Sequence, residues 1–364
     1  MEQKEYFAYN AISNLKNILK REKAKNIFLV TGKISFELSG AREKLAEQEL
    51  NYHRFSAFSP NPKIEDIENG FHEFKQGNYD SIVAIGGGSS IDVAKTIKLF
   101  HFHNTKSLVP LIAIPTTAGS GSEATYFIVY YIGKEKQSEG NPKVTLPNYS
   151  ICDPQLTFSL PKETTASTGL DAFAQAVESY WCINSIQDSK KLAEKSINLT
   201  LKNLEKAVHN PDRDSRENMM KAADLAGKAI NITKTTASHS IAYPITSYFN
   251  IPHGHAAALT LAEMLEYSSE VTDEDCSDKR GASYVKETID DLLKILGVSN
   301  VRQGKKLITS LIISTGLKTR LSELNLTRED LDLIVEKGFH PARVKNNPRV
   351  LTSEELKNIL FKIF

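Results

Sequence analysis

Three consecutive glycines, Gly86-Gly87-Gly88, separate the apolar run SIVAI (81–85) from an amphipathic stretch that opens with Ser89-Ser90. No other feature narrows the possible folds as much. Glycines lack Cβ atoms, so their backbone can come close to a ligand. A helix starting there turns its unsatisfied N–H groups and the positive end of its dipole onto the turn, which suits an anion such as a pyrophosphate. The carboxyl end of a strand is also where ligands bind in open α/β sheets. The turn is not GxGxxG, so the ordinary dinucleotide fingerprint does not apply. A plain flexible surface turn is the competing account.

The same alternation extends through the N-terminal part of the chain. Apolar spacing predicts helices at 11–22, 36–50, 64–77 and 91–100, and strands at 26–31, 52–58, 81–85 and 108–114. Strands alternating with helices imply a parallel sheet covered on both faces. A second polar turn, PTTAGSGSE (115–123), follows the last of these strands. It either lines one crevice with the glycine turn or caps a helix through Ser122.

Beyond residue 160 helical periodicity takes over, at 171–181, 189–208, 216–232, 235–247, 256–267, 283–296 and 305–314. The turn residues of DPQLTFSLP place a boundary near 154–161. The expected organisation is an α/β dinucleotide-binding domain over 1–158 and a helical metal- and substrate-binding domain over 159–364. Segment 270–281 reads as a charged surface loop.

Charge and cysteine content exclude several classes. With 45 basic and 44 acidic residues, the net charge of +1 leaves no electrostatic footprint for nucleic acid or anionic membrane. No run approaches the roughly 20 apolar residues of a membrane helix, and the polar start MEQKEYFAYN is unlike a signal peptide. Cys152, Cys182 and Cys276 form no CxxC pair, which favours a reducing cytoplasm.

A metal site is the strongest chemical candidate. Asp171 and Gln175 lie one turn apart on one helix face. His239 and His253 follow in SHSIAYP and IPHGHAAAL. Two imidazoles and a carboxylate are a common set for a catalytic divalent metal with an open position. His255 shares the HGH pattern, so either histidine can ligate. Taken singly, each histidine is equally well a packed or surface residue.

Four segments in order, AIGGGSSIDVAK, IPTTAGSGSEAT, TGLDAFAQAVESY and HSIAYPITSYFNIPHGHAAAL, together with the terminal NNPRVLTSEELKNIL, resemble the iron-containing (group III) alcohol dehydrogenases over nearly the whole chain. The resemblance implies the dehydroquinate synthase-like fold of that family, an α/β N-terminal domain plus an all-α C-terminal domain. It also implies an active site in the cleft between the domains, and a homodimer. Carried over by position, it implies that Gly87, Gly88 and Ser89 meet the pyrophosphate and that Asp92 lies near the nicotinamide. Thr116, Thr117 and Ser120 line the cofactor crevice, and Lys143 reaches the ribose. Asp171, His239 and His253 match three of four ligands to a divalent metal, Fe2+ or Zn2+. The fourth, usually histidine, is Gln175 here. Tyr243 replaces a further common histidine near the reacting carbon; it and His255 are the candidate catalytic residues.

Many members carry an aspartate at the position of Gly32, where it would repel a 2′-phosphate. Its absence, with Lys33 and Ser35 beside it, suggests that NADP is accepted as well as NAD. Lys234 stands where a small residue is more usual and is a candidate contact to a substrate anion. The segments around it resemble the phosphonoacetaldehyde reductase branch, which makes 2-hydroxyethylphosphonate. The implied activity is NAD(P)H-dependent, metal-assisted reduction of a small aldehyde to an alcohol. Two alternatives are a same-fold glycerol, glycerol-phosphate or dehydroquinate synthase-like enzyme, and a non-catalytic nucleotide-binding protein.

Overall fold

Short runs rich in β-branched and aromatic residues form the centre of the N-terminal sheet. Its elements, in a computed structural model described over residues 3–339 and 341–364, are β1 (Lys4–Phe7), β2 (Ile27–Thr31), β3 (Tyr52–Phe55), β4 (Ser81–Gly86), β5 (Leu111–Pro115), a hairpin of β6 (Ile128–Ile132) and β7 (Glu135–Glu139), and β8 (Tyr149–Cys152). Six strands pair in parallel in the order β1-β8-β5-β4-β2-β3. Strands β2, β4 and β5 are buried at every residue, as expected where helices cover both faces. Along β2, Ile27 and Leu29 enter one core with Leu15, Leu45 and Ile85, while Phe28 and Val30 enter another with Phe55, Ile67 and Ile97. That alternation is the period-two pleat.

The covering helices are α1 (Leu15–Arg21), α2 (Ser35–Leu38), α3 (Ala41–Glu47), α4 (Ile64–Gln76) and α5 (Gly88–Thr105). From β2 the chain steps outward to β3, returns to β4 on the other side of β2, and then continues outward to β5 and β8. The direction reverses between β2 and β4, the kind of switch point at which open sheets bind ligands.

Several elements differ from expectation. Segment 36–50 is two helices, broken where Gly40 takes φ +74° ahead of α3. Segment 11–22 opens with a 3₁₀ turn, Ala11–Asn14. The strands β1 and β8 are only four residues each, and β7, EKQSE, carries no apolar residue. None gives a periodic signal strong enough to read.

The chain forms two compact units, Met1–Leu160 and Pro161–Phe364. The second unit holds α6 (Lys162–Trp181), α7 (Gln187–His209), α8 (Arg213–Thr233), α9 (Ala237–Phe249), α10 (His253–Ser269), α11 (Ala282–Ile295), α12 (Val301–Ser314), α13 (Asp330–Gly338), α14 (Pro341–Val344) and α15 (Ser353–Lys362), with no strand among its described residues. This is the parallel α/β plus all-helical plan expected. Helix α6 starts nine residues before Asp171 and is buried along almost its whole length. Segment 270–281 is more anchored than a solvated loop. Arg280 pairs with the buried Asp278 and donates to the carbonyls of Cys182, Ile183 and Ser185. No described helix is long and apolar enough to cross a membrane.

Candidate metal centre and cofactor turn

Three helices of the second unit bring Asp171, His239 and His253 together. Asp171 lies in the middle of α6, His239 in the first turn of α9, and His253 is the first residue of α10. One ligand atom from each falls within 4.8 Å of the others. His239 Nε2 is 3.3 Å from Asp171 Oδ1, and the two imidazole rings are 5.5 Å apart at 73°. Gln175 follows Asp171 by one turn of α6 and is also buried.

A residue absent from the expected site orders this group. Glu178 continues the α6 face at i+7 from Asp171 and is fully buried. One carboxylate oxygen accepts from His239 Nδ1. The other accepts from Thr236 Oγ1 at 2.6 Å and from the Ser238 amide at 2.8 Å. With Nδ1 committed to Glu178, Nε2 is the nitrogen turned toward Asp171. Burial works against the charged imidazole, but the charges of Glu178 and Asp171 outweigh it and hold His239 up at about 9. The spacing Asp171, Gln175, Glu178 was visible in the sequence as a single helix face.

The chemistry of the donor set fits a divalent metal. It offers one hard carboxylate and two imidazoles, with Gln175 an amide oxygen nearby in sequence. His239 Nε2 is buried and makes no hydrogen bond. A buried nitrogen of that kind, facing a carboxylate, is costly unless something else binds there.

His255 does not join the group, although the sequence left both histidines of HGH able to ligate. Residues i and i+2 point to nearly opposite sides of a helix. His255 Nε2 is hydrogen-bonded to the Lys318 carbonyl at 2.7 Å, and burial lowers its pKa. Gly254 between them packs against α6. A Cβ placed on it would lie 2.0 Å from the Ser167 carbonyl oxygen and 2.6 Å from Asp171 Cβ. Tyr243, also on α9, lies against His253 with ring centroids 6.0 Å apart. Its hydroxyl accepts a 3.1 Å hydrogen bond from the buried Arg343. Lys234 is exposed in the connection between α8 and α9.

In the first unit the two polar turns meet. The Thr116 amide donates to the Gly86 carbonyl at 3.0 Å. A Cβ on Gly87 would be 3.3 Å from the Thr117 side chain, and one on Gly88 would be 2.9 Å from Ser120 Oγ. Helix α5 begins at Gly88, so its open N–H groups face this junction. Gly32, after β2, lies beside it: an added Cβ on Gly86 would be 3.6 Å from the Gly32 amide nitrogen. Asp92, one turn into α5, accepts from Ser122 Oγ at 2.6 Å and from the Val129 amide, and burial raises its pKa. Lys95 is fully buried beneath it, donating to Ser122 Oγ and the Phe127 carbonyl. Arg54 from β3 donates to the Gly32 and Lys33 carbonyls at 3.2 Å each. Lys33 and Lys143 are exposed, Ser35 and Ser89 partly so.

Comparison with known proteins agrees with this architecture. The model of the "Iron-containing alcohol dehydrogenase" family matches residues 3–154, and that of the "Fe-containing alcohol dehydrogenase family, C-terminal" matches 165–364. The chain is 31% identical to alcohol dehydrogenase 4 of Schizosaccharomyces pombe, covering 97% of this chain and 86% of that protein. It is also 31% identical to the phosphonoacetaldehyde reductase of Streptomyces viridochromogenes, covering 77% and 75%. The crystal structure of sulfoacetaldehyde reductase from Bifidobacterium kashiwanohense in complex with NAD+ matches with a TM-score of 0.86 at 28% identity, covering 99% of this chain and 96% of that one. The chain belongs to the iron-containing alcohol dehydrogenase family.

Proposed function

We propose that this member of the iron-containing alcohol dehydrogenase family reduces a small aldehyde to the corresponding alcohol, using a nicotinamide cofactor and a divalent metal. The observation that carries the reading is the convergence of the buried Asp171 and His239 with the half-buried His253, with Glu178 fixing the His239 ring. Those three residues would hold the metal, with Gln175 at the fourth corner. The bound metal would supply Lewis-acid polarisation of the aldehyde oxygen, and the cofactor would supply the hydride.

The protein's own part is positioning. The Gly86–Gly88 turn and the α5 N-terminus would bind the pyrophosphate through backbone amides. Thr117 and Ser120 close against that turn and would hold the cofactor in its crevice. Asp92, held by Ser122 and Val129, would face the cofactor with its orientation set in advance. Tyr243, fixed by Arg343, would place a hydroxyl near the reacting aldehyde.

NADPH is expected to be accepted. No carboxylate stands at residue 32, Lys33 is exposed, and an added Cβ at Gly32 would lie 2.4 Å from Ser35 Oγ. A kcat/KM with NADH tenfold above that with NADPH would overturn this expectation. The likeness to reductases named for phosphonoacetaldehyde and sulfoacetaldehyde favours a two-carbon aldehyde with an anionic head. The test of the activity itself is metal analysis of protein purified without chelator, beside NAD(P)H oxidation with an aldehyde panel. His253→Ala should lose the metal and cut turnover by orders of magnitude. Retention of both would refute the site.

A further inference from the structure

We propose that Arg54 is the positioning residue that shapes the turn after β2 into a seat for the 2′-phosphate of NADP. The inference rests on the nicotinamide-cofactor reading above and names what makes one end of that cofactor site selective.

The Gly86–Gly88 turn has a neighbour on each side, because β4 pairs with β5 on one edge and with β2 on the other. A pyrophosphate on the glycine turn would send its two ribosyl groups toward those neighbours. The turn after β5, PTTAGSGSE, is rich in hydroxyls and carries no cation. The turn after β2, Gly32 to Ser35, carries a lysine and no carboxylate. It lies close to the start of α5: a Cβ on Gly32 would be 3.8 Å from Ser90 Oγ, and one on Gly86 would be 3.6 Å from the Gly32 amide nitrogen.

Arg54, near the carboxyl end of β3, clamps this turn. Its Nε donates to Thr31 Oγ1 at 2.8 Å and its Nη1 to Glu37 Oε1 at 2.8 Å. Its Nη2 donates to the Gly32 and Lys33 carbonyls at 3.2 Å each. Its Cζ lies 4.6 Å from the ring centroid of the buried Phe36. These four bonds leave one of the five N–H groups of the guanidinium. Two carbonyl dipoles that would repel an anion are therefore drawn onto a cation instead. The Glu37 carboxylate is covered as well, since Arg42 donates to it at 2.9 Å beside Arg54. Lys33 is exposed on the same turn. Lys33, Arg42 and Arg54 outnumber Glu37, even with Glu43 of α3 counted against Arg42. A dianionic 2′-phosphate is matched by that excess, and a bare 2′-hydroxyl gains nothing from it. A lysine at residue 54 would keep the charge but lack the planar fork that holds several acceptors at once.

Calorimetric titration with 2′,5′-ADP and with 5′-AMP reads the 2′-phosphate alone, without aldehyde, hydride or metal. The wild type should bind 2′,5′-ADP at least tenfold more tightly than AMP. Arg54→Gln and Arg54→Lys should each lower that ratio at least fivefold, with AMP affinity within twofold of the wild type. The lysine variant decides the matter if the glutamine variant does not fold. Glu37→Gln removes only negative charge and should keep or raise the ratio. In turnover the same Arg54 variants should raise KM for NADPH and leave kcat and the KM for NADH within twofold. A wild-type ratio near one, a ratio kept by both Arg54 variants, or an equal loss of both nucleotides in them, with or without the fold, would each overturn the inference and leave the reductase reading intact. A wild type that binds neither AMP nor NADH overturns that reading and the inference with it.

Discussion

Glu178 grips His239 from two sides, taking the ring Nδ1 proton on one oxygen and the Ser238 amide and Thr236 hydroxyl on the other. The ring and the backbone that carries it are thus fixed by one buried carboxylate. Trp181 adds a further brace, its indole N–H donating to Thr236 at 3.1 Å. Partners of this kind set the tautomer and raise the basicity of a ligating imidazole, and their removal typically costs 10–100-fold in metal affinity. Glu178→Gln is therefore expected to weaken metal binding by about 10–100-fold while leaving Asp171, His239 and His253 in place. Anaerobic titration with Fe2+ checks it, and an affinity equal to the wild type would remove Glu178 from the site.

Gly254 is where α10 meets α6, and the contact is backbone to backbone. A Cβ there would meet the Ser167 carbonyl oxygen at 2.0 Å and the Asp171 amide nitrogen at 2.9 Å, neither of which can rotate aside. Gly254→Ala must push the helices apart, at an overpacking cost of about 1–3 kcal/mol. Because His253 precedes it and Asp171 opposes it, the displacement should also separate two of the three proposed ligands. Thermal unfolding should show a lower Tm, and metal titration a lower affinity. A loss of stability with metal affinity intact would mean that the ligands tolerate the shift.

The sequence showed strands β2 to β5 and the residues that converge on one point, and left β1 and β8 unread. Asp171, His239 and His253 are polar residues in apolar helical patterns, so they stand out, and the motifs around them are long. Glu178 was missed because a carboxylate on a helix is normally a solvated residue; only its i+7 relation to Asp171 marks it. His255 was open because an HGH pattern does not show which imidazole faces inward, a matter settled by the 200° or so between residues two apart on a helix. Arg343 gave no signal, since its burial comes from contacts 100 residues away in the chain with Tyr243. Strands β1 and β8 were illegible for a similar reason. The four residues of KEYF become a strand only by pairing with YSIC, far along the chain.

Lys98 offers a test of burial through pH. The residue is 2% exposed; its ammonium donates to Asn148 Oδ1 at 2.7 Å and is pushed down to about 8 by burial. The unfolded chain holds this proton up to about 10.4. Between those values the unfolded state binds more protons, so the contribution of Lys98 to stability rises with pH across that window and is least favourable below pH 8. Lys98→Met should therefore be the more stable protein at pH 7, by about 1 kcal/mol once the lost hydrogen bond is deducted. Its advantage should shrink as pH approaches 10. Urea unfolding at pH 7 and pH 9.5 measures both, and an advantage that does not change with pH would show that the lysine is neutral or well solvated throughout.

Lys234 sits five residues before His239 with φ +67° and ψ 179°. That region is essentially reserved for glycine, and another residue there stores about 1–3 kcal/mol of strain. The backbone is held in it by the Lys234 amide, which donates to Ile230 O at 2.7 Å, and by the Lys234 carbonyl, which accepts from Thr233 Oγ1 at 2.8 Å. The side chain is exposed, so little packing is lost on its removal. Lys234→Gly relieves the strain and gives back roughly 0.5–1 kcal/mol through the greater freedom of the unfolded glycine chain. The expected net effect is a gain of about 1 kcal/mol, seen as a higher urea midpoint with an unchanged m-value. Lys234→Ala keeps the strained backbone and should show no such gain. If the two variants unfold alike, the left-handed conformation at this position is not strained, and the turn leading into α9 is held by something other than the fit of its backbone.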